Sequence, residues 1–217
     1  MSERVLCVVA HPDDETLCCG AALAKHFKAG DDVSILVLAD GVMSRINPDD
    51  IEERYGMFLR ACRILGADDV WRCTYPDNQM DHFPLLRVVK DIEPHIDRVK
   101  PTIIYTHWHG DLNIDHQVVS RAVITACRPL PGSTVKCIFM GECPSSTEWG
   151  TGFAPNWFED VRETFDTKLA AMACYTTELR DYPHPRSIEA IRSLAQWRGA
   201  SAGVLLAEAF MLARAVS

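Results

Sequence analysis

The chain reads as an α/β protein: a Rossmann-like, doubly wound, mostly parallel sheet with helices on both faces. Two observations predict this. Short, continuous apolar runs recur, as in Val5–Ala10 and Val33–Ala39. Strands that are apolar on both faces belong to parallel sheets covered on both sides. Segments with helical spacing lie between these runs, which is the pattern of βαβ units. The chain has 217 residues and is 47% hydrophobic, enough for one core, so a single domain over residues 1–217 is expected.

The elements follow in order. Val5–Ala10 is the first strand. Thr16–Ala29 carries apolar residues at helical spacing (Leu17, Ala21, Leu23, Ala24, Phe27) and stops at Gly30. Val33–Ala39 is the second strand; Pro48–Leu65 is helical and ends at Gly66. Val70–Thr74 is a shorter third strand, and Leu85–Arg98 a helix that Pro94 should interrupt. Thr102–Thr106, Asp115–Ala126 and Val135–Met140 give the fourth strand, its helix and the fifth strand. Pro144–Pro155 is rich in Ser, Thr, Gly and Pro and reads as a loop. Asp166–Tyr175 and Ser187–Arg198 look helical, and Ala207–Ala215 is amphipathic, either a helix or a closing segment. No internal repeat, linker or low-complexity tract interrupts the pattern.

Composition narrows the function. The net charge is −8, the pI is near 5.4 and no basic run stands out, so no nucleic-acid partner is expected. No apolar stretch is long enough to span a bilayer, and the start, Met1-Ser2-Glu3-Arg4, lacks the apolar core of a signal peptide. The nine cysteines include no CxxC pair and sit mostly in apolar runs. Reduced thiols in a cytoplasmic protein are the simplest account. A homo-oligomer stays open.

The chemistry concentrates in two places. The first strand runs straight into Ala10-His11-Pro12-Asp13-Asp14-Glu15. A helix cap needs one acid, not three. A divalent cation would justify such charge at the end of a core strand, because imidazole and carboxylate both ligate one. The second cluster, His107-Trp108-His109-Gly110-Asp111-Leu112-Asn113-Ile114-Asp115-His116, follows the fourth strand. In an open sheet of order 3-2-1-4-5, strands one and four are neighbours at the point where strand order reverses, and the two clusters meet there.

A catalytic zinc site has three protein ligands and an open position. The set that fits is His11, Asp14 and His116, with Asp13 left to hold a proton beside the water. Glu15 would support the first helix, whose dipole favours a carboxylate, and Asp115 would orient a ligand histidine. His107 fits a buried structural role. A dinucleotide is not expected, because the turn after the first strand lacks the Gly-x-Gly-x-x-Gly cradle.

These residues resemble the PIG-L/LmbE family of zinc-dependent N-deacetylases. The likeness rests on Ala-His-Pro-Asp-Asp-Glu after the first strand and Asp-Leu-Asn-Ile-Asp-His after the fourth. Tyr75-Pro76-Asp77-Asn78, Pro144–Trp149, Lys168 and Ala207–Phe210 support it. The resemblance implies an LmbE-like fold and one Zn²⁺ per chain, with Fe²⁺ the alternative metal. The implied substrate is a small N-acetylated amino sugar or its conjugate, GlcNAc-like, cleaved to acetate and a free amine. It implies the same ligands, His11, Asp14 and His116, and Asp13 as general base. Arg54 and Asp77 match positions that touch sugar hydroxyls. Many members carry a histidine three residues before the last ligand; here it is Asn113, which can donate to an oxyanion but cannot supply a proton. The proton then comes from Asp13, or from His109 or His184, the latter also a candidate substrate contact. Two other classes compete: another metal hydrolase such as a phosphoesterase, and a non-catalytic sugar- or nucleotide-binding module.

Overall fold

Strand β1 (Arg4–Val9) is the axis of the sheet, and its residues from Val5 onward are fully buried. The structure is a computed structural model that describes residues 2–44, 51–67 and 69–216. β1 pairs in parallel with β2 (Asp32–Ala39) on one side and β4 (Ile103–His107) on the other. β3 (Asp69–Tyr75) continues beyond β2, and β5 (Cys137–Gly141) beyond β4, both parallel. The expected order of the first five strands is therefore present. Two antiparallel strands, β7 (Ala207–Ala215) and β6 (Trp157–Asp160), extend the β5 side to give β3-β2-β1-β4-β5-β7-β6.

Alternation along β1 divides the core. Val5, Cys7 and Val9 pack under α1 (Asp14–Ala29), α2 (Ile51–Leu65), α5 (Phe165–Met172) and α6 (Ile188–Ala202). Leu6, Val8 and Ala10 face α3 (Leu85–Val99) and α4 (Ile114–Ala126). A strand apolar at every position is buried by both layers at once. Among the described residues, no helix is long and apolar enough to cross a membrane.

Several boundaries differ from the sequence reading, each for a physical reason. Pro94 does not interrupt α3. The carbonyl of Lys90, which loses its helical partner to the proline, belongs to an exposed residue that water can reach. α6 runs past Arg198 to Ala202, where Gly203 takes a left-handed φ of 76° and closes the helix. α5 stops at Met172, which leaves Tyr175 free to turn inward and bury its ring. Ala207–Ala215 is a strand, and its Phe210 packs on Tyr105 and Phe139. β6 has no counterpart in the sequence reading: four residues hold too little periodicity, and its partner β7 lies far along the chain. Of the expected second helix, residues 48–50 lie outside the described residues.

α1 is bent at Cys19, whose φ of −149° and ψ of 20° are not helical. The backbone groups freed there are met from outside the helix. Glu208 on β7 accepts the N–H groups of Ala21 (3.1 Å) and Ala22 (2.7 Å). Lys168 on α5 donates to the carbonyl of Leu17 (2.8 Å) and pairs with Glu208 (2.6 Å). Thr164 donates to the carbonyl of Ala21 at 2.8 Å. This buried splint fixes the helix whose first turn carries the acidic motif. Replacing Glu208 with Gln leaves Lys168 charged and unpaired in the core, so the expected loss is about 3–5 kcal/mol in urea unfolding. A loss below about 1 kcal/mol, the scale of an exposed ion pair, would show that the splint is dispensable.

Candidate metal centre

The centre forms where β1 and β4 end side by side. After β1 the chain turns at once, with Asp14 N–H bonded to His11 O at 3.2 Å. Gly41, with a φ of 71°, lets the segment after β2 approach this turn; a Cβ there would stand 2.9 Å from Pro12 Cδ. Ala10 N–H donates to His107 Nε2 at 2.9 Å, which ties the end of β4 to the end of β1. Asp13 takes a φ of 126°, a conformation an L-residue adopts only when its surroundings force it. Its N–H is held by Glu15 Oε2 at 3.0 Å. Glu15 in turn accepts from Thr16 Oγ1 and Tyr175 OH, each at 2.6 Å. Burial raises the Glu15 carboxyl to about 7, against those hydrogen bonds.

Asp14 Oδ2 is the focus. His11 Nδ1 lies 3.2 Å from it and His116 Nε2 3.3 Å, all three groups being buried. Ligand atoms about 2.0–2.1 Å from one tetrahedral ion stand about 3.3 Å apart, so the two distances to Asp14 fit one ion held among the three groups. Burial alone would lower the His11 and His116 imidazoles, but the carboxylates outweigh it. Asp115, Asp14 and Asp77 hold His11 well above its ordinary range, and Asp14 and Asp111 raise His116 to about 9. A cation bound there would have to displace those protons.

Two other donor sets occur among the described residues: His107, His116 and Cys143, and His11, Asp77 and Asp115. Each overlaps the first set, and their atoms are already engaged. His107 Nε2 holds the Ala10 N–H. Asp115 accepts the backbone N–H groups of Asn78 (2.7 Å) and Met80 (2.9 Å). The members of these sets lie directly against those of the first. His11 Nε2 lies 3.0 Å from both Asp77 and Asp115, and His116 Nδ1 lies 3.2 Å from Asp111. Cys143 donates to Asp14 Oδ1 at 3.1 Å, and burial keeps it a thiol. The His107 ring stacks on His116 with centroids 3.9 Å apart.

The other expected residues take varied places. Asp115 lies against His11, and Glu15 holds the Asp13 turn. Asp77 meets His11 rather than facing outward. Arg54 is only 3% exposed and lies 3.1 Å from Asp13 Oδ2 and 2.9 Å from Glu178, directed at the acidic turn. Asn113 caps α4, accepting from the N–H groups of Asp115 (2.9 Å) and His116 (3.3 Å), while its amide donates to Asn78 at 3.0 Å. His109 is exposed and its ring packs on Trp108. His184 is half-buried, with Nδ1 accepting the Arg186 N–H at 3.0 Å. Three contributors gave no signal in sequence spacing: Cys143, Glu178 and Arg186. Arg186 sits in the Tyr-Pro-His-Pro-Arg turn, where the histidine is the more conspicuous residue.

A doubly wound sheet with a buried His/Asp cluster and a further carboxylate at its switch point offers what a metal-assisted hydrolase needs. The chain belongs to the PIG-L family, whose model, described as GlcNAc-PI de-N-acetylase, matches residues 6–127. It is 32% identical to the uncharacterized deacetylase YaiS of Escherichia coli K12 over 174 residues, 77% of this chain and 88% of that protein. It is 23% identical to the diacetylchitobiose deacetylase of Thermococcus kodakarensis, covering 95% and 81% of the two chains. Among solved structures, the conserved protein TT1542 of Thermus thermophilus superposes with a TM-score of 0.80 at 25% identity, covering 99% and 96%.

The cap at Asn113 can be tested in metal-free protein. Asn113→Ala should cost about 1 kcal/mol in urea unfolding, and Asn113→Asp, which still caps, much less. Equal losses in the two variants would count against the capping role.

Proposed function

We propose that this protein is a zinc-dependent deacetylase that hydrolyses the acetamide of an N-acetylated amino sugar or its conjugate, GlcNAc-like, to acetate and a free amine. The observation that carries this reading is the spacing of His11 Nδ1 and His116 Nε2 around Asp14 Oδ2, with Asp13 alongside. His11, Asp14 and His116 would hold one ion per chain, zinc or, in its place, ferrous iron. Bound metal supplies Lewis acidity, which polarises the acetamide carbonyl and acidifies the attacking water.

The chain's own residues do the rest. Asp13 is the general base. Arg54 and Arg186 hold its Oδ2, which leaves Oδ1 to take the proton from water. Burial raises the Asp13 carboxyl against the pull of Arg186 and Arg54, and a more basic carboxylate accepts that proton more readily. The water oxygen bonds to the acetamide carbon, the C–N bond breaks, and the proton on Asp13 passes to the leaving nitrogen. His109, exposed against Trp108, and His184, engaged in its own turn, are weaker donors for that step. Asn113 Nδ2 carries two hydrogens and uses one on Asn78, so the second is available to the developing oxyanion. Arg54 and Asp77, the expected sugar contacts, also touch Asp13 and His11, so a bound sugar would meet them beside those two residues. The names of the relatives support an acetylated sugar as substrate. The nine unpaired cysteines support a reducing, cytoplasmic compartment.

Metal content and acetate release, measured on one preparation across a panel of N-acetyl amino sugars, test the reading. One metal per chain is expected, with activity lost to a chelator and restored by Zn²⁺. Activity that ignores the chelator would refute the mechanism, and two ions per chain would favour a phosphoesterase. Asp13→Asn should lower kcat by about 100- to 10,000-fold with metal content intact. His116→Ala should lose the metal itself. If Asp13→Asn retains full kcat, another base must be sought.

A further inference from the structure

Two guanidinium groups converge on a single oxygen of Asp13. Arg54 Nη2 and Arg186 Nη1 each lie 3.1 Å from Oδ2. Glu178 closes a square of charges on the far side, 2.9 Å from Arg54 Nη1 and 2.9 Å from Arg186 Nη1. The two arginines arrive by different routes. Arg54 projects from α2, over the Tyr175 ring, and is buried. Arg186 comes from the turn between α5 and α6 and keeps its side chain 22% exposed. Its Nε also donates to Ser145 Oγ at 2.7 Å.

We propose that Arg186 is a positioning residue for the proton-transfer step, acting through Asp13; this rests on the deacetylase reading above. A carboxylate turns easily about its last torsion, because that torsion has broad, roughly two-fold wells. One donor on Oδ2 leaves that rotation open. Two donors from different directions fix the carboxylate plane and leave Oδ1 for the proton transfer proposed above. The strained backbone of Asp13 makes such anchoring necessary, since that conformation persists only when its neighbours over-determine it. Glu178 balances the second guanidinium, so adding Arg186 leaves no uncompensated buried charge.

Ser145 gives the anchor a second purpose. It belongs to the segment that steadies the candidate ligands: Cys143 holds Asp14, while Ser146 and Thr147 hold Asp111, the partner of His116. Arg186 therefore ties the base to the same segment that sets two of those ligands. Only the planar fork of arginine can serve Asp13, Glu178 and Ser145 together; a lysine offers one nitrogen on a more flexible stem.

The test uses metal-loaded wild type, Arg186→Lys and Arg186→Ala in the acetate-release assay, on an N-acetyl amino sugar that the wild type turns over. The expected result is a fall in kcat of about 10- to 100-fold. KM should be unchanged, which marks an interaction used in the transition state rather than in binding. Metal content should match wild type. Guanidinium chloride, well below denaturing concentration, should restore part of the rate of Arg186→Ala, whereas sodium chloride at equal ionic strength should not. A raised KM at constant kcat would make Arg186 a substrate contact and overturn the proposal. So would unchanged kinetics, loss of metal in both variants, or no response to guanidinium. A wild type that releases no acetate from any of these sugars would overturn the deacetylase reading, and the positioning role with it.

Discussion

Asp14 Oδ2 sits out of water and faces nitrogens of three imidazoles, those of His11, His107 and His116, and the rest of the site is arranged around it. A buried charge is tolerated only when it is paired and hydrogen-bonded, and that requirement spreads outward. Two of these imidazoles, His11 and His116, have a second carboxylate beside their other nitrogen, whereas His107 uses its facing nitrogen on the Ala10 N–H. Asp77 and Asp115 stand there for His11, and Asp111 for His116. Asp115 and Asp111 need donors of their own, which come from the backbone of Asn78 and Met80 and from Ser146 and Thr147. The loops around the sheet rim are thus shaped by the charge they enclose.

The same logic explains why distant segments are recruited to α1. A helix that begins beside three buried acids and bends at Cys19 leaves backbone and side-chain groups in want of partners. Lys168, Glu208 and Thr164 meet the bend, and Tyr175 meets Glu15. The strain at Asp13 is held between Glu15 on its backbone and two arginines on its side chain. Rigidity at the acidic turn is thereby supplied by α5, by β7 and by the turn that carries Arg186.

Much of the fold was legible in the residues. Continuous apolar strands implied a sheet covered on both faces, and the 3-2-1-4-5 order was enough to predict that His11–Glu15 and His107–His116 would meet. The local partnership of His11 and Asp14 was legible too, because residues three apart at a strand-to-helix turn can point the same way. The short strand β6 and the strand character of Ala207–Ala215 were not, because a strand's partner is chosen by the sheet and not by its own residues. Nor was the end of α5, where the burial of Tyr175 decides.

By itself the sequence determined the layered α/β architecture, the position of the acidic motif at a strand end and the choice of His11, Asp14 and His116 as candidate ligands. Periodicity and turn chemistry act over a few residues, and a few residues suffice to express them. Only the tertiary structure decided which groups surround those three. It turned Arg54 toward Asp13, engaged Asn113 as a cap, gave Cys143 to Asp14 and brought Arg186 across 173 positions to Asp13. Buried charge must be balanced in space, and the chain brings its balancing groups from wherever the fold passes close.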